Sequence, residues 1–323
     1  MKAADDITEK VSTAIQKFLK CPPVIIWGSG ATVPYGLPTM NKLNDALKAG
    51  INGFDANNNN LETELGEVKY EKQMPEIKKI IWDTINMADC EIRKNIINGG
   101  IGDFSAILNM IKKFKEAHPK VLNIITTNYD RVLEHIMGYH CISFTDGFGG
   151  QEFSLFCGDL FKKKNSINLI KVHGSLNWFQ LDSKTRKIFS NDYTIDPTII
   201  PPSKNKYQEA FKEPYRDLIS KSDAFINNAG SFLVVGFGFN DEHLTPKIKE
   251  RVTQGTPLVL ITKKITDSCH SELENAKNCI LLEESKSFGC TTVKYKNNNL
   301  EETLEIRGDY WQLGKLMEVL GHG

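Results

Sequence analysis

Four short stretches place polar or glycine residues immediately after apolar runs, and they are where this chain could do chemistry. Thr127, Asn128 and Asp130 follow "VLNII"; His173 follows "INLIKV"; Gly28, Ser29 and Gly30 follow "VIIW"; Gly236 and Gly238 follow "SFLVV". An imidazole titrates near neutral pH, so His173 is a candidate general base. It is equally a candidate for a buried histidine that is simply hydrogen-bonded. An amide and a carboxylate two residues apart, Asn128 and Asp130, could orient a hydroxyl or a water, or could cap the next helix. The glycine turns would let backbone N–H groups approach an anion, with Ser29 and Thr32 adding hydroxyls; a plain tight turn asks for the same glycines. Asn240 or Asp241 reads as the cap of the helix after the last turn. No G-x-x-x-x-G-K-[ST] occurs, which argues against an ATP-type phosphate loop.

These residues must be positioned by the elements around them. "VIIW", "VLNIITT" (121–127), "SFLVV" and "TPLVLIT" read as buried strands, the last being the final core strand, and "INLIKVHGSLNWF" (167–179) holds another that ends at His173-Gly174-Ser175. Helical periodicity appears near 6–19 (Ile7, Val11, Ile15, Phe18), in "MNKLNDALKA" capped by Thr39 and stopped by Gly50, in "YDRVLEHIMG", near 206–228 with a kink at Pro214, and in the tail "GDYWQLGKLMEVLG". Between the first two strands, residues 51–118 hold a polar loop (54–60) and two helices, marked by Ile77, Ile80, Ile81, Trp82 and Ile85 and by Phe104, Ile107, Leu108 and Ile111. The pattern predicts an α/β fold: a Rossmann-like parallel sheet with helices on both faces and a helical insertion. Residues 1–50 and 119–323 form the sheet domain, and 51–118 the insertion, a lid or an interface. In a parallel sheet the carboxyl ends of the strands share one edge, so the four tips converge on one pocket.

Bulk properties narrow the partners. The chain has 323 residues, with 40 basic and 40 acidic side chains and a net charge of +0. That gives no long-range attraction to nucleic acid or to an anionic membrane. The run Lys162-Lys163-Lys164 reads as a solvated loop. No segment is apolar enough to span a bilayer. The polar N-terminus "MKAADDITEK" does not resemble a secretory leader. Seven cysteines without a C-x-x-C pair argue against a disulfide framework and a zinc ribbon, so the expectation is a cytoplasmic protein without a metal.

Taken together and in order, "GSGAT…GLPTM", "TTNYD", "KVHGS" and "GFGFND" resemble the SIR2 (sirtuin) superfamily over about residues 22–262. They are most similar to SIR2-like NAD⁺-consuming effectors of bacterial anti-phage defence. The resemblance implies that Gly28, Ser29, Gly30 and Ala31 form the phosphate-facing turn, with Thr32 and Pro38 beside the cofactor. It implies that Thr127, Asn128 and Asp130 face the nicotinamide and its ribose, that His173 is the catalytic histidine, and that Gly236 and Gly238 lie near the adenosine half. This chain departs from the family pattern. Thr127 stands for the glutamine of T-Q-N-x-D. Thr39-Met40-Asn41 replace Asp-Phe-Arg after Gly36-Leu37-Pro38. The second turn is Gly236-Phe237-Gly238, and the four zinc cysteines of the deacylases are missing.

The implied activity is hydrolysis of the nicotinamide–ribose bond of NAD⁺, through an oxocarbenium-like state. Asn128 holds ribose hydroxyls or water, His173 acts as base, and Asp130 orients these groups or stabilises positive charge. NAD-dependent protein deacylation or ADP-ribosyl transfer is the enzymatic alternative. A non-enzymatic sensor or scaffold binding NAD⁺ or ADP-ribose is the alternative of another class. The resemblance further implies control by assembly, as a homo-oligomer or with a separately encoded partner such as a HerA-like ATPase.

Overall fold

A computed structural model describes residues 2–54, 61–162, 164–189, 197–202, 213–298 and 300–321. Most of the polar loop read at 54–60, the first part of the helix read at 206–228, and Lys163 lie outside the described residues.

The main sheet has eight strands in the order β13-β12-β11-β10-β9-β1-β2-β5. Its centre is β1 (Val24–Trp27), flanked by β2 (Val121–Thr126) and β9 (Phe232–Val235), both parallel to it. β5 (Ser166–Lys171) adds in parallel beyond β2, and β10 (Leu258–Thr262) and β11 (Asn278–Glu284) beyond β9. Both faces are covered, which is why "VIIW" is apolar without alternation. Ile25 and Trp27 enter one core, with α1 (Lys2–Phe18), α2 (Met40–Gly50), α4 (Met74–Ile97) and α5 (Ser105–Glu116). Val24 and Ile26 enter the other, with helices Tyr215–Asn227 and Thr245–Gln254.

The helices between β1 and β2 include the single turn α3 (Leu61–Glu64), and they share the first core with the sheet. α5 lies against β2. Thr39 caps α2, its hydroxyl accepting from Lys42 N at 3.4 Å, but the helix runs through Gly50 instead of stopping before it.

One further expectation is corrected. Leu258–Thr262 is not the last core strand. β11 follows in parallel, and β12 (Cys290–Asn297) and β13 (Leu300–Arg307) close the sheet as an antiparallel hairpin. β12 buries alternate residues and β13 buries only Ile306, so "CTTVKYKN" and "LEETLEIR" contain no apolar run to betray them. The parallel strands expected from the sequence make up the body of the sheet, and the antiparallel hairpin lies at its edge.

The strand read within 167–179 is β5, which ends at Lys171; after it, β6 (Gly174–Leu181) begins a second sheet, antiparallel, with order β3-β4-β7-β6-β8. Its other members are β3 (Phe148–Gly149), β4 (Ser154–Phe156), β7 (Lys184–Lys187) and β8 (Pro197–Ile199). The chain turns the corner at Gly174, whose φ is 91° and whose missing Cβ would stand 2.4 Å from Thr198 O. Only glycine fits there. Pro214 stands at the cap position of the helix Tyr215–Asn227, consistent with the tolerance of helix starts for proline, and the stretch before it lies outside the described residues.

Candidate active site

The carboxyl ends of β9, β1, β2 and β5 are neighbours on one sheet edge, and a cavity of about 580 Å³ opens there. Ser29, Thr32, Pro38, Thr127, Asn128, Asp130, His173, Gly236 and Gly238 all line it. Apolar walls come from α2 and α4, including Met40, Leu43 and Ile85.

The tip of β2 is built by a relay of short bonds. Thr126 Oγ1 donates to Trp27 O at 2.7 Å and accepts from Asn128 N at 3.0 Å. Asn128 is thereby turned back toward β1. Its Nδ2 donates to Gly28 O at 3.0 Å and lies 3.4 Å from Thr32 Oγ1. With the amide hydrogens committed, the buried Asn128 Oδ1 has no hydrogen-bond partner in the protein. A buried acceptor left unmade is costly, and a ligand hydroxyl or water donating to it would remove that cost.

Asp130 fulfils the capping reading and goes beyond it. Oδ1 accepts from Val132 N at 3.2 Å, opening α6 (Val132–Tyr139), while Oδ2 faces Thr32 Oγ1 at 3.3 Å. Burial pushes its carboxyl up to about 6, with Asp89 and Glu134 adding to the rise and Lys171 opposing it. Lys171 was not legible as a site residue. It is 1% exposed, and its ammonium donates to Tyr129 O at 3.3 Å, to Asp130 O, and to Glu134 Oε1 at 2.7 Å. It pins the backbone of the tip from below.

His173 sits at the corner between the two sheets, 5% exposed. Its Nε2 lies 2.9 Å from Asp241 Oδ2. The other carboxylate oxygen, Oδ1, accepts from His243 N at 3.0 Å and Leu244 N at 2.9 Å. Asp241 therefore holds the turn that leads into the helix Thr245–Gln254, whose cap position is Leu244 and not Asn240 or Asp241, and it is also the carboxylate beside the imidazole. Sequence reasoning saw a cap here and not the second role. The signal for the second was its place in "GFGFND", a tip facing the same edge as His173.

The first glycine turn is placed differently from a free anion cradle. Gly28, Gly30 and Ala31 do not line the cavity; they pack against the turn after β9. A Cβ on Gly28 would stand 2.4 Å from Gly236 O, and one on Gly236 would stand 2.2 Å from Ala31 N. Gly30 N donates to Gly236 O at 2.9 Å, Ala31 N to Gly28 O at 3.1 Å, and Thr32 N to Ser29 O at 3.2 Å. These glycines let two strand tips touch, and Ser29 and Thr32 face the cavity. Among the described residues no group of three or more His, Cys, Asp or Glu has the geometry of a metal site, and no helix is long and apolar enough to cross a membrane.

A mostly parallel α/β sheet with a polar cavity at the strand ends, beside two glycine turns, belongs to the class of nucleotide-binding doubly wound folds. Residues 122–278 match the family model for the SIR2-like domain. A solved Sir2 homologue in complex with NAD superposes with a TM-score of 0.51 at 15% identity, over 97% of this chain and 93% of that one. A Sir2 homologue variant in complex with ADP-ribose gives a TM-score of 0.50 at 15% identity, over 97% and 95%. No curated protein matches the chain in sequence. Residues 122–278 thus resemble the SIR2-like domain, and the chain shares the fold of the Sir2 homologues.

Proposed function

We propose that the protein hydrolyses the nicotinamide–ribose bond of NAD⁺, giving nicotinamide and ADP-ribose. The observation that carries this reading is the partnerless Asn128 Oδ1 in the cavity that also holds the His173–Asp241 pair. The cavity, about 580 Å³, is of the size that takes a nucleotide-like ligand. The NAD complex of a Sir2 homologue supports the choice of ligand.

In this reading Asn128 Oδ1 accepts a hydrogen bond from the attacking water or a ribose hydroxyl and fixes its lone pair toward the anomeric carbon. His173 takes the water proton as the new carbon–oxygen bond forms. The carbon–nitrogen bond breaks, and nicotinamide leaves as a neutral base. Asp241 orients the imidazole and stabilises its protonated form. The Asp130 carboxylate, mostly ionised above pH 6, sets negative charge near the developing ribosyl cation. Ser29 and Thr32 offer hydroxyls to the remainder of the dinucleotide.

From the resemblance we further infer an anti-phage effector that depletes cytoplasmic NAD⁺. Its turnover would be gated by self-association or by a separately encoded ATPase of the HerA-like kind. The decisive experiment incubates the purified chain with NAD⁺, alone and with candidate partners, and identifies the products by mass. Free ADP-ribose with nicotinamide is the expected result. An acylated or protein-linked ADP-ribose would replace the reading by deacylation or ADP-ribosyl transfer. Tight NAD⁺ binding without turnover in every assembly would replace it by a sensor.

A further inference from the structure

Helix α4 belongs to the segment between the first two strands, yet one of its faces reaches three parts of the site. Trp82 Nε1 donates to Leu176 O of β6 at 2.9 Å. Ile85, three residues on, lines the cavity. Asp89, one turn further, is a fully buried carboxylate, 0% exposed. At this spacing the three side chains share one helix face. A helix that only packed on a core would place an apolar residue at the third position, as α4 does with Ile92 and Ile96.

Asp89 is spent on the loop after the catalytic tip. Its Oδ1 accepts from Arg131 N at 2.7 Å, and its Oδ2 from Arg131 Nε at 3.1 Å and Nη2 at 2.7 Å. His135 Nε2 lies 3.1 Å from the same Oδ2. Arg131 is itself buried, at 5% exposure, and directly follows Asp130. Lys171 holds the carbonyls of Tyr129 and Asp130 from the sheet side, so Asp89 supplies the grip from the helical side. Burial alone would raise the Asp89 carboxyl, but the His135 hydrogen bond and the Arg131 charge hold it below the usual carboxylate range, so it stays ionised.

We propose that Asp89 is a positioning residue for the reaction: through Arg131 it locks the Asn128–Asp130 tip in register with His173, and so makes catalytic competence depend on the seating of α4. The kinetic half of this claim rests on the NAD⁺-cleaving reading; the structural half does not. A misplacement of about 1 Å far from the reacting atoms can cost roughly 10²-fold in rate.

The test compares wild type with Asp89→Asn, which keeps the shape and removes the charge. Hydrogen exchange should rise in the segment 126–134 and stay unchanged elsewhere. NAD⁺ turnover should fall about 10- to 10²-fold in kcat, with KM within about twofold. Asp89→Asn combined with Arg131→Met should cost no more than either alone, because the two act as one pair. Unchanged exchange at 126–134, uniform loosening of the whole chain, or a loss confined to KM would overturn the proposal. If Asp89→Asn fails to fold, Arg131→Lys, which keeps the charge and loses the planar fork, carries the same comparison. A wild type that leaves NAD⁺ intact would sink the functional reading, and the exchange measurement would then decide the role of Asp89 by itself.

Discussion

His173 and Asn128 are each useful because of what their neighbours do. The imidazole is next to the Asp241 carboxylate, and the Asn128 amide is pinned by Gly28 O so that its oxygen alone remains to be used. General acid–base assistance is typically worth about 10²–10⁴-fold. His173→Ala and Asn128→Ala should therefore each lower NAD⁺ turnover by at least about 10²-fold at unchanged thermal stability; turnover at the wild-type rate in a folded variant removes that residue from the mechanism. Asp130 makes a prediction about pH. Its carboxyl is pushed from 3.8 up to about 6 by burial. A raised folded value favours the fold while the group is protonated. That contribution is complete below the ordinary value near 4 and is lost as pH rises through 6, a loss of about 3 kcal/mol by pH 8. Asp130→Asn should thus raise the melting temperature at pH 8, lose that advantage near pH 4, and reduce activity throughout. Melting curves at the two pH values decide it: an equal difference at both means that ionisation of Asp130 is not the cause.

The elements that meet at the site are strand tips, and their contact is backbone on backbone. Gly28 and Gly236 allow the turn after β1 to touch the turn after β9, while Gly28 O anchors Asn128. Gly28→Ala would drive a methyl to 2.4 Å from Gly236 O. Overpacking of this kind costs about 1–3 kcal/mol. The expected result is a denaturation midpoint lowered accordingly and turnover reduced through displacement of Asn128. A Gly28→Ala protein as stable and active as wild type would show that the two turns can separate freely. Much of this level was readable in advance. "VIIW", "VLNIITT" and "SFLVV" announce strands buried on two faces, and the glycines after them announce turns. The reason for the glycines was not readable, because a turn needing room for another turn looks the same in one dimension as a turn needing room for a phosphate.

At the scale of the molecule, the cavity is walled by the sheet edge on one side and by α2 and α4 on the other, so helices and sheet share one core and one site. Control by assembly is the prediction that belongs here. Turnover per chain should rise with protein concentration or on adding a candidate partner ATPase, in step with a shift in sedimentation. A monomer fully active at every concentration and without any partner would refute it.

By itself the amino-acid order determined the parallel strands β1, β2, β5, β9 and β10 but not β11, the helical segment between the first two of them, and the residues at their tips. Those signals are local: apolar runs, helical periodicity and turn residues lie within a few positions of one another. It did not determine the antiparallel hairpin β12–β13, whose half-buried, charged strands lack an apolar run, or the small second sheet entered at Gly174. Nor did it determine the pairings of His173 with Asp241, of Lys171 with the carbonyls of Tyr129 and Asp130, and of Asp89 with Arg131. Those are contacts between elements far apart along the chain. Which buried charge faces which is decided only when the sheet order and the seating of α4 bring them within hydrogen-bond reach.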